Sequence, residues 1–179
     1  MFTDKRSKKV IFVAHCVLNQ NAISDGTALY PSAHTDIIQK LLKSQVGIVQ
    51  LPCPELLCLG LDRGNPEGAT SPVTVENTRI RKEMQTDSSI QELKHLAEKT
   101  LYQILEYRHF GFDILGIIGI NRSPCCGVDT TSLYNKELEG EGLFIHEIKR
   151  ILKENNLTIP IIGLKANADD HKKLEEILK

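Results

Sequence analysis

The sequence contains no long apolar run and no excess of positive charge. No apolar segment approaches the roughly 20 residues that a membrane-spanning helix needs, and the residues after Met1 form no signal-peptide core. The 22 lysines and arginines are matched by 23 aspartates and glutamates, for a formal net charge of -1, so no positive field is available to hold a nucleic acid backbone. We therefore expect a cytoplasmic protein with no membrane or nucleic acid partner.

Internal repeats and low-complexity tracts are also missing. Hydrophobic residues make up 41% of the sequence and charged residues 25%, so neither a disordered nor a fibrous protein is indicated. The 179 residues lie within the usual size range of one domain. We expect residues 1–179 to form a single domain, and a homodimer is compatible with the sequence.

Short apolar runs rich in β-branched residues predict buried strands, and helical patterns lie between them. The predicted strands are 9–14, 46–51, 113–120 and 158–162, and the predicted helices are about 32–44, 86–110, 142–155 and 168–178. Strands that alternate with helices predict an α/β fold with three layers, Rossmann-like, around a mostly parallel sheet of at least four strands. In such a sheet, ligands bind beyond the carboxyl ends of the strands.

The segment between Gly60 and Thr78 is rich in glycine, proline, asparagine and charge, which predicts a long loop. Loops of this length are usually mobile or functional. We interpret Asp62, Arg63 and Glu67 within it as exposed charged residues, and their closure over an anionic substrate is the alternative.

Cysteines follow three of the predicted strands, at the point where each strand ends. Cys16 follows the first, Cys53 the second, and the pair Cys125 and Cys126 the third. Because neighbouring strands lie about 4.8 Å apart, the loops leaving their carboxyl ends can bring these thiols together. Disulfides are not expected in a reducing compartment, so clustered thiols indicate metal binding or catalysis. The alternative is a chance placement of buried cysteines.

Three thiolates can hold a zinc ion with an open fourth position, or an iron–sulfur cluster with one iron left unligated. A thiolate-rich set without a paired histidine favours iron–sulfur chemistry. His15 precedes Cys16 and could be a zinc ligand, but alternation along an extended segment would point it to the opposite side. Cys58 lies among leucines and is expected in the core.

Four short segments occur in a fixed order at the ends of the predicted strands. They are Cys16-Val17-Leu18-Asn19, Asp25-Gly26, Cys53-Pro54-Glu55 and Ser123-Pro124-Cys125-Cys126-Gly127. In this order they resemble the 2-thiouracil desulfurase family, long catalogued as a domain of unknown function. That family's pattern runs Cys-Leu-Leu-Gly, Asp-Gly, Cys-Pro-Glu and Ser-Pro-Ser-Cys-Gly. The chain departs from it at Asn19, which replaces glycine, and at Cys125, which replaces serine.

The resemblance implies a 4Fe–4S cluster held by Cys16, Cys53 and Cys126. In the family, the free iron binds the sulfur of a thiocarbonyl substrate, which is then removed without net redox change. The implied activity is that of a desulfidase in sulfur metabolism, acting on a thiolated small molecule that resembles thiouracil. A zinc-dependent hydrolase using the same cysteines, or a non-catalytic module that binds a metal or cofactor, are the alternatives.

Glu55 and Ser123 are the predicted catalytic residues. Glu55 follows Cys53 by two residues within an apolar stretch and is the first candidate for acid/base catalysis. A first-turn glutamate stabilised by a helix dipole is the alternative. Ser123 could donate a hydrogen bond to substrate or cluster, or simply form a turn before proline.

Asn19, Asp25, Asn121 and Cys125 are predicted to bind substrate. The two amides could recognise the polar edge of a ring, whereas Asp25 is more typical of an Asp-Gly turn. Cys125 cannot easily ligate the same centre as its neighbour. It could donate to a cluster sulfide, accept sulfur or replace Cys126 as the ligand.

Overall fold

The computed structural model describes residues 2–165 and 171–178, and its helices and strands alternate along most of the chain. The strands are β1 (Lys9–Val13), β2 (Gly47–Gln50), β3 (Asp113–Ile120), β4 (Thr130–Leu133), β5 (Lys136–Glu139) and β6 (Ile161–Leu164). The α-helices are α1 (His15–Leu18), α2 (Thr35–Lys43), α3 (Pro54–Leu59), α4 (Val73–Glu83), α5 (Asp87–His109), α6 (Leu143–Glu154) and α7 (His171–Ile177).

Four of the strands form an all-parallel sheet in the order β2-β1-β3-β6. Helices flank this sheet, so the predicted α/β, Rossmann-like fold with at least four parallel strands is confirmed. After β1 the chain adds β2 on one side of it and β3 on the other. The strand order reverses at β1, and the carboxyl ends of β1, β2 and β3 therefore border the crevice where ligands bind in such folds.

The centre of the sheet forms the hydrophobic core. Phe12 on β1 and Ile117 and Ile118 on β3 are fully buried, as expected for strands that are covered on both faces. Helix α5 begins after Thr86, whose hydroxyl accepts a hydrogen bond from the backbone N–H of Ser89. Each of the long helices α5 and α6 begins and ends within one residue of its predicted bounds.

Four predicted elements differ from the structure by more than one residue. The predicted helix 32–44 begins only at Thr35, and its N-cap is His34 rather than Ser32. The predicted strand 158–162 begins only at Ile161, because Pro160 has no N–H to contribute to the sheet. The predicted loop from Gly60 to Thr78 was wrong in its last third, where α4 starts after Pro72. The first residues of the predicted helix 168–178 lie outside the described residues, and α7 accounts for the rest.

The antiparallel hairpin of β4 and β5 had no counterpart in the sequence prediction. Its turn residues Tyr134 and Asn135 both have positive φ angles, of 52° and 59°, which is the conformation of a tight hairpin turn. No helix in the described part of the chain combines the length and the apolar character needed to cross a bilayer.

Candidate active site

A cavity of about 410 Å³ lies at the carboxyl ends of the central strands. Cys16, Cys53 and Cys126 all line it, although they are far apart in the sequence. The structure thus brings together the three cysteines that were predicted as metal ligands. All five cysteines of the chain are free thiols.

The other two cysteines do not line this cavity. Cys125 is fully buried and does not contribute to the cavity lining. Cys58 lies on α3 and packs against the hydrophobic core, in agreement with its predicted position.

Local backbone geometry positions each of the three thiols. Cys16 lies in α1, which begins directly after β1. Cys53 is the N-cap residue of α3, and Pro54 follows it at the first helical position, where its missing N–H is not needed. Both cysteines therefore lie where the chain changes from strand to helix.

Cys126 lies in a turn that folds back over the end of β3. The hydroxyl oxygen of Ser123 accepts hydrogen bonds from the backbone N–H groups of Cys125 and Cys126, at 3.3 and 2.9 Å. Gly119 on β3 makes this turn possible, because a Cβ there would overlap the carbonyl oxygen of Cys126. The Ser-Pro-Cys-Cys-Gly segment is thus a compact turn whose serine holds the backbone of its cysteines.

The carboxylate of Glu55 links the ends of β2 and β3. Its Oε1 accepts a hydrogen bond from the Ser123 hydroxyl at 3.4 Å, and its Oε2 accepts one from Arg63 Nε, also at 3.4 Å. Glu55 lies in the first turn of α3 and also lines the cavity. Its position is therefore compatible both with acid/base catalysis and with stabilisation by the helix dipole.

Arg63 is the main correction to the sequence prediction. It was interpreted as an exposed loop residue, but its side chain is only 2% exposed. Its guanidinium donates hydrogen bonds to the carbonyl oxygens of Ala22, Gly60 and Leu61, at 2.6, 2.8 and 3.0 Å. Its Nη2 also lies 3.8 Å from Cys53 Sγ. A permanent positive charge is therefore buried against the thiol cluster.

A side chain on helix α4 holds the backbone of Arg63 by a hydrogen bond. Its φ angle is +57°, a left-handed conformation that non-glycine residues rarely adopt. Arg79 Nη2 donates to the Arg63 carbonyl at 2.8 Å, and Arg79 is itself paired with Glu76 at 2.6 Å. No local signal in the sequence indicates that this arginine is buried, because its partners come from four separate segments.

The thiols are held in their neutral form. Burial raises the pKa of Cys16 to about 12, and the neighbouring Cys53 adds to the shift. Burial and the nearby Glu55 carboxylate raise the pKa of Cys53 to about 11. Burial followed by the proximity of Cys16 and Cys53 raises the pKa of Cys126 well above its ordinary value. A bound metal centre would have to displace these protons.

The arrangement of the donors limits which metal group the cavity could hold. Across residues 2–165 and 171–178, no three His, Cys, Asp or Glu side chains converge closely enough to hold one metal ion. Thiolates that share one zinc lie about 4 Å apart, since each Zn–S bond is about 2.3 Å. A 4Fe–4S cluster is several atoms across, so its three thiolates lie farther apart around a cavity. Cys16, Cys53 and Cys126 line one cavity, as the ligands of such a cluster would.

His15 also lines the cavity. The expectation that it points away from Cys16 assumed an extended segment, and it was wrong because both residues lie in α1. Burial lowers the pKa of His15 and favours the neutral imidazole. Its Nε2 is buried and has no hydrogen-bond partner in the described structure.

Asn19 and Asp25 both serve local turns. The Asn19 side chain accepts a hydrogen bond from the backbone N–H of Asn21, where it caps a short 3-10 helix (Gln20–Ala22). Asp25 is exposed and its carboxylate accepts from the N–H of Gly26, as expected for an Asp-Gly turn. Neither residue lines the cavity, although Gly26 does.

Asn121 lines the cavity but its amide is used within the protein. Its Oδ1 accepts hydrogen bonds from the backbone N–H groups of Val128 and Asp129, at 3.2 and 3.0 Å. Its Nδ2 donates to the Asp129 carboxylate at 3.0 Å. These bonds give Asn121 a role in shaping the connection between β3 and β4.

Several cavity residues were not found by sequence reasoning. Val73 and Asn77 lie on α4, and Arg122 lies in the turn after β3. Glu137 lies on β5, and Lys165 directly follows β6. None of these residues lies in the four family-like segments, and Val73 and Asn77 lie in the Gly-rich segment that was predicted as a loop. Neither helix α4 nor the hairpin that carries Glu137 was predicted.

Replacing Arg63 by methionine should lower the free energy of unfolding by about 3–5 kcal/mol. The reason is that the buried Glu55 carboxylate would lose its cation. Urea denaturation at neutral pH measures the change. The matched control is Arg150→Met, since Arg150 pairs with Glu147 and Glu154 while 37% exposed, and this change should cost about 1 kcal/mol or less. Equal losses in the two variants would contradict the assignment of Arg63 as a buried counter-ion.

Comparison with family models finds no match, and no solved structure matches the chain. Among curated proteins, the chain is similar to the uncharacterized protein MJ0003 of Methanocaldococcus jannaschii, with 28% identical residues over 174 aligned positions. The alignment covers 97% of this chain and 97% of that protein. The similarity therefore extends over nearly the whole of both chains.

Proposed function

We propose that this protein is a desulfidase that removes sulfur from a thiolated small molecule at an open-site 4Fe–4S cluster. The observation that carries the proposal is the meeting of Cys16, Cys53 and Cys126 on one cavity. The hydrogen-bonded carboxylate of Glu55 lines the same cavity. Three potential metal ligands beside an acid/base group support hydrolytic chemistry, and the resemblance to the 2-thiouracil desulfurase family supports the choice of sulfur as the leaving atom.

Cys16, Cys53 and Cys126 would hold the cluster and leave its fourth iron without a protein ligand. When bound, the cluster would supply a Lewis acid that draws electron density from a thiocarbonyl sulfur. Arg63 contributes a fixed positive charge 3.8 Å from Cys53 Sγ, which favours the thiolate form that ligation requires.

Glu55 is the group that we assign to proton transfer. Its carboxylate is fixed by Ser123 on one oxygen and by Arg63 on the other. Glu55 would take a proton from water as the water oxygen bonds to the thiocarbonyl carbon, and would return it as the carbon–sulfur bond breaks. The balance is C=S plus H₂O giving C=O plus H₂S, so no oxidant or reductant is required.

A cavity of about 410 Å³ lies within the size range of small-molecule sites and suits a single-ring thiocarbonyl compound such as a thiouracil. Five free cysteines without a disulfide support a reducing compartment. We therefore propose that the reaction takes place in the cytoplasm.

Anaerobic reconstitution with iron and sulfide tests this function. We expect a brown protein with about four irons and four sulfides per chain, which releases hydrogen sulfide and uracil from 2-thiouracil. Metal analysis that found only zinc would instead indicate a zinc hydrolase. Binding of 2-thiouracil without sulfide release would indicate a non-catalytic module, and an iron-free protein after careful reconstitution would rule out the cluster.

A further inference from the structure

We infer that the substrate carries an anionic group, a carboxylate or a phosphate, and that Arg122 binds it. The inference rests on the proposed function for the thiocarbonyl part of the substrate, and it adds the second group by which the cavity recognises that molecule. It is carried by two independent observations, the absence of a hydrogen-bonded or ionic partner for the Arg122 guanidinium among the described residues and the backbone conformation of Arg122.

The cavity lining contains one cation without an ionic partner. Among the described residues that line it, Arg63 is paired with Glu55 at 3.4 Å, and Lys165 is paired with Glu137 at 2.9 Å. Arg122 is the remaining charged residue of the lining. The other charged side chains of the lining therefore form two ion pairs, and Arg122 is the cation left outside them.

Glu137 is a candidate partner for Arg122, but its carboxylate is used elsewhere. It accepts a hydrogen bond from the Thr130 hydroxyl at 2.7 Å and pairs with Lys165. Arg122 helps to lower the pKa of Glu137 through its electric field. In the described structure the Arg122 guanidinium nevertheless forms no hydrogen bond or ion pair, so its donors are available to a ligand.

The backbone of Arg122 is held in an unfavourable conformation. Its φ angle is +71°, in the left-handed region that costs free energy for a non-glycine residue. Its N–H donates to the Thr130 carbonyl at 3.0 Å, and its own carbonyl accepts from Ser132 Oγ at 2.7 Å and from Asn77 Nδ2 at 3.4 Å. These bonds fix the backbone, and strain of this kind is concentrated at functional sites.

The chemistry of the guanidinium specifies the ligand class. Arginine presents a planar fork of N–H donors that matches the two oxygens of a carboxylate or phosphate. Arg122 is half-buried, so its charge is only partly screened by water. A neutral thiolated base would leave this charge unpaired, whereas a thiolated ring that bears an anion would neutralise it.

The test compares three probes on cluster-loaded protein: 2-thiouracil, its 6-carboxylate, and 2-thiouridine 5′-phosphate. At least one anionic probe should have a kcat/KM about 10–100 times that of 2-thiouracil, and Arg122→Gln should bring this ratio close to one while retaining its iron. A higher kcat/KM for the 6-carboxylate would indicate that Arg122 binds a carboxylate, and a higher kcat/KM for the 5′-phosphate would indicate that it binds a phosphate. The control Lys136→Gln removes an exposed cation outside the cavity and should keep the wild-type ratio.

A binding measurement separates this inference from the proposed function. Calorimetry with the sulfur-free compounds orotate and uridine 5′-phosphate needs no turnover, and at least one should bind about 10–100 times more weakly to Arg122→Gln than to the wild type. That result would support the anion site even if no probe were desulfurised. Equal kcat/KM for neutral and anionic probes, equal affinity in wild type and variant, or loss of iron from Arg122→Gln would overturn it.

Discussion

Replacing Cys16, Cys53 or Cys126 by serine should abolish stable cluster loading, with iron falling from about four per chain to near zero. Each of these side chains lines the same cavity from a different part of the chain. Because a cluster with one open iron has only three protein ligands, the loss of one leaves too few to retain it. Iron and sulfide determination after anaerobic reconstitution measures the effect.

Cys58→Ser is the matched control for these substitutions. Cys58 is a free thiol on α3 that packs against the core and does not line the cavity, so the variant should load iron like the wild type. Cys125→Ser tests the choice between the two adjacent cysteines. If Cys125→Ser lost the cluster and Cys126→Ser kept it, the assignment of Cys126 as the third ligand would be wrong.

Glu55→Gln should reduce the rate of sulfide release by about 10²–10⁴-fold while the protein retains its iron. A glutamine side chain has nearly the same shape, and its single amide oxygen can still accept the hydrogen bond from Arg63 while its NH2 group faces the Ser123 oxygen as a donor. It cannot take a proton from water. The measurement is kcat with 2-thiouracil, made alongside iron determination on the same sample.

Glu67→Gln provides the comparison for this variant. Glu67 is an exposed glutamate outside the cavity, and its replacement should leave kcat unchanged. A Glu55→Gln enzyme with wild-type kcat would exclude Glu55 as the proton-transfer group. A Glu55→Gln protein that lost its iron would instead indicate a role in holding the site together.

The sheet and the position of its cysteines could be predicted because both depend on local patterns. The apolar runs that become β1, β2 and β3 are continuous in the sequence, and parallel strands place their carboxyl ends at one edge. Cys16 and Cys53 follow the first two runs closely, and Cys126 follows the third after a short turn. Their common location therefore required no knowledge of side-chain packing.

The charged residues of the site could not be predicted in the same way. Arg63 lies in a segment rich in glycine and charge, and its burial depends on the carbonyl group of Ala22 and the carboxylate of Glu55, which lie outside that segment. Arg122 lines the cavity in a left-handed conformation held by Thr130, Ser132 and Asn77. Such placements arise from tertiary contacts, which periodicity and spacing do not encode.

The neutral state of the thiols has a consequence for how the protein is made in the cell. Because Cys16, Cys53 and Cys126 retain their protons after burial, folding does not bring mutually repelling anions together. The turn that carries Cys126 is already held by the Ser123 hydroxyl. Under the proposed function, the chain would therefore fold before any metal is bound, and loading of the cavity would be a separate, later step.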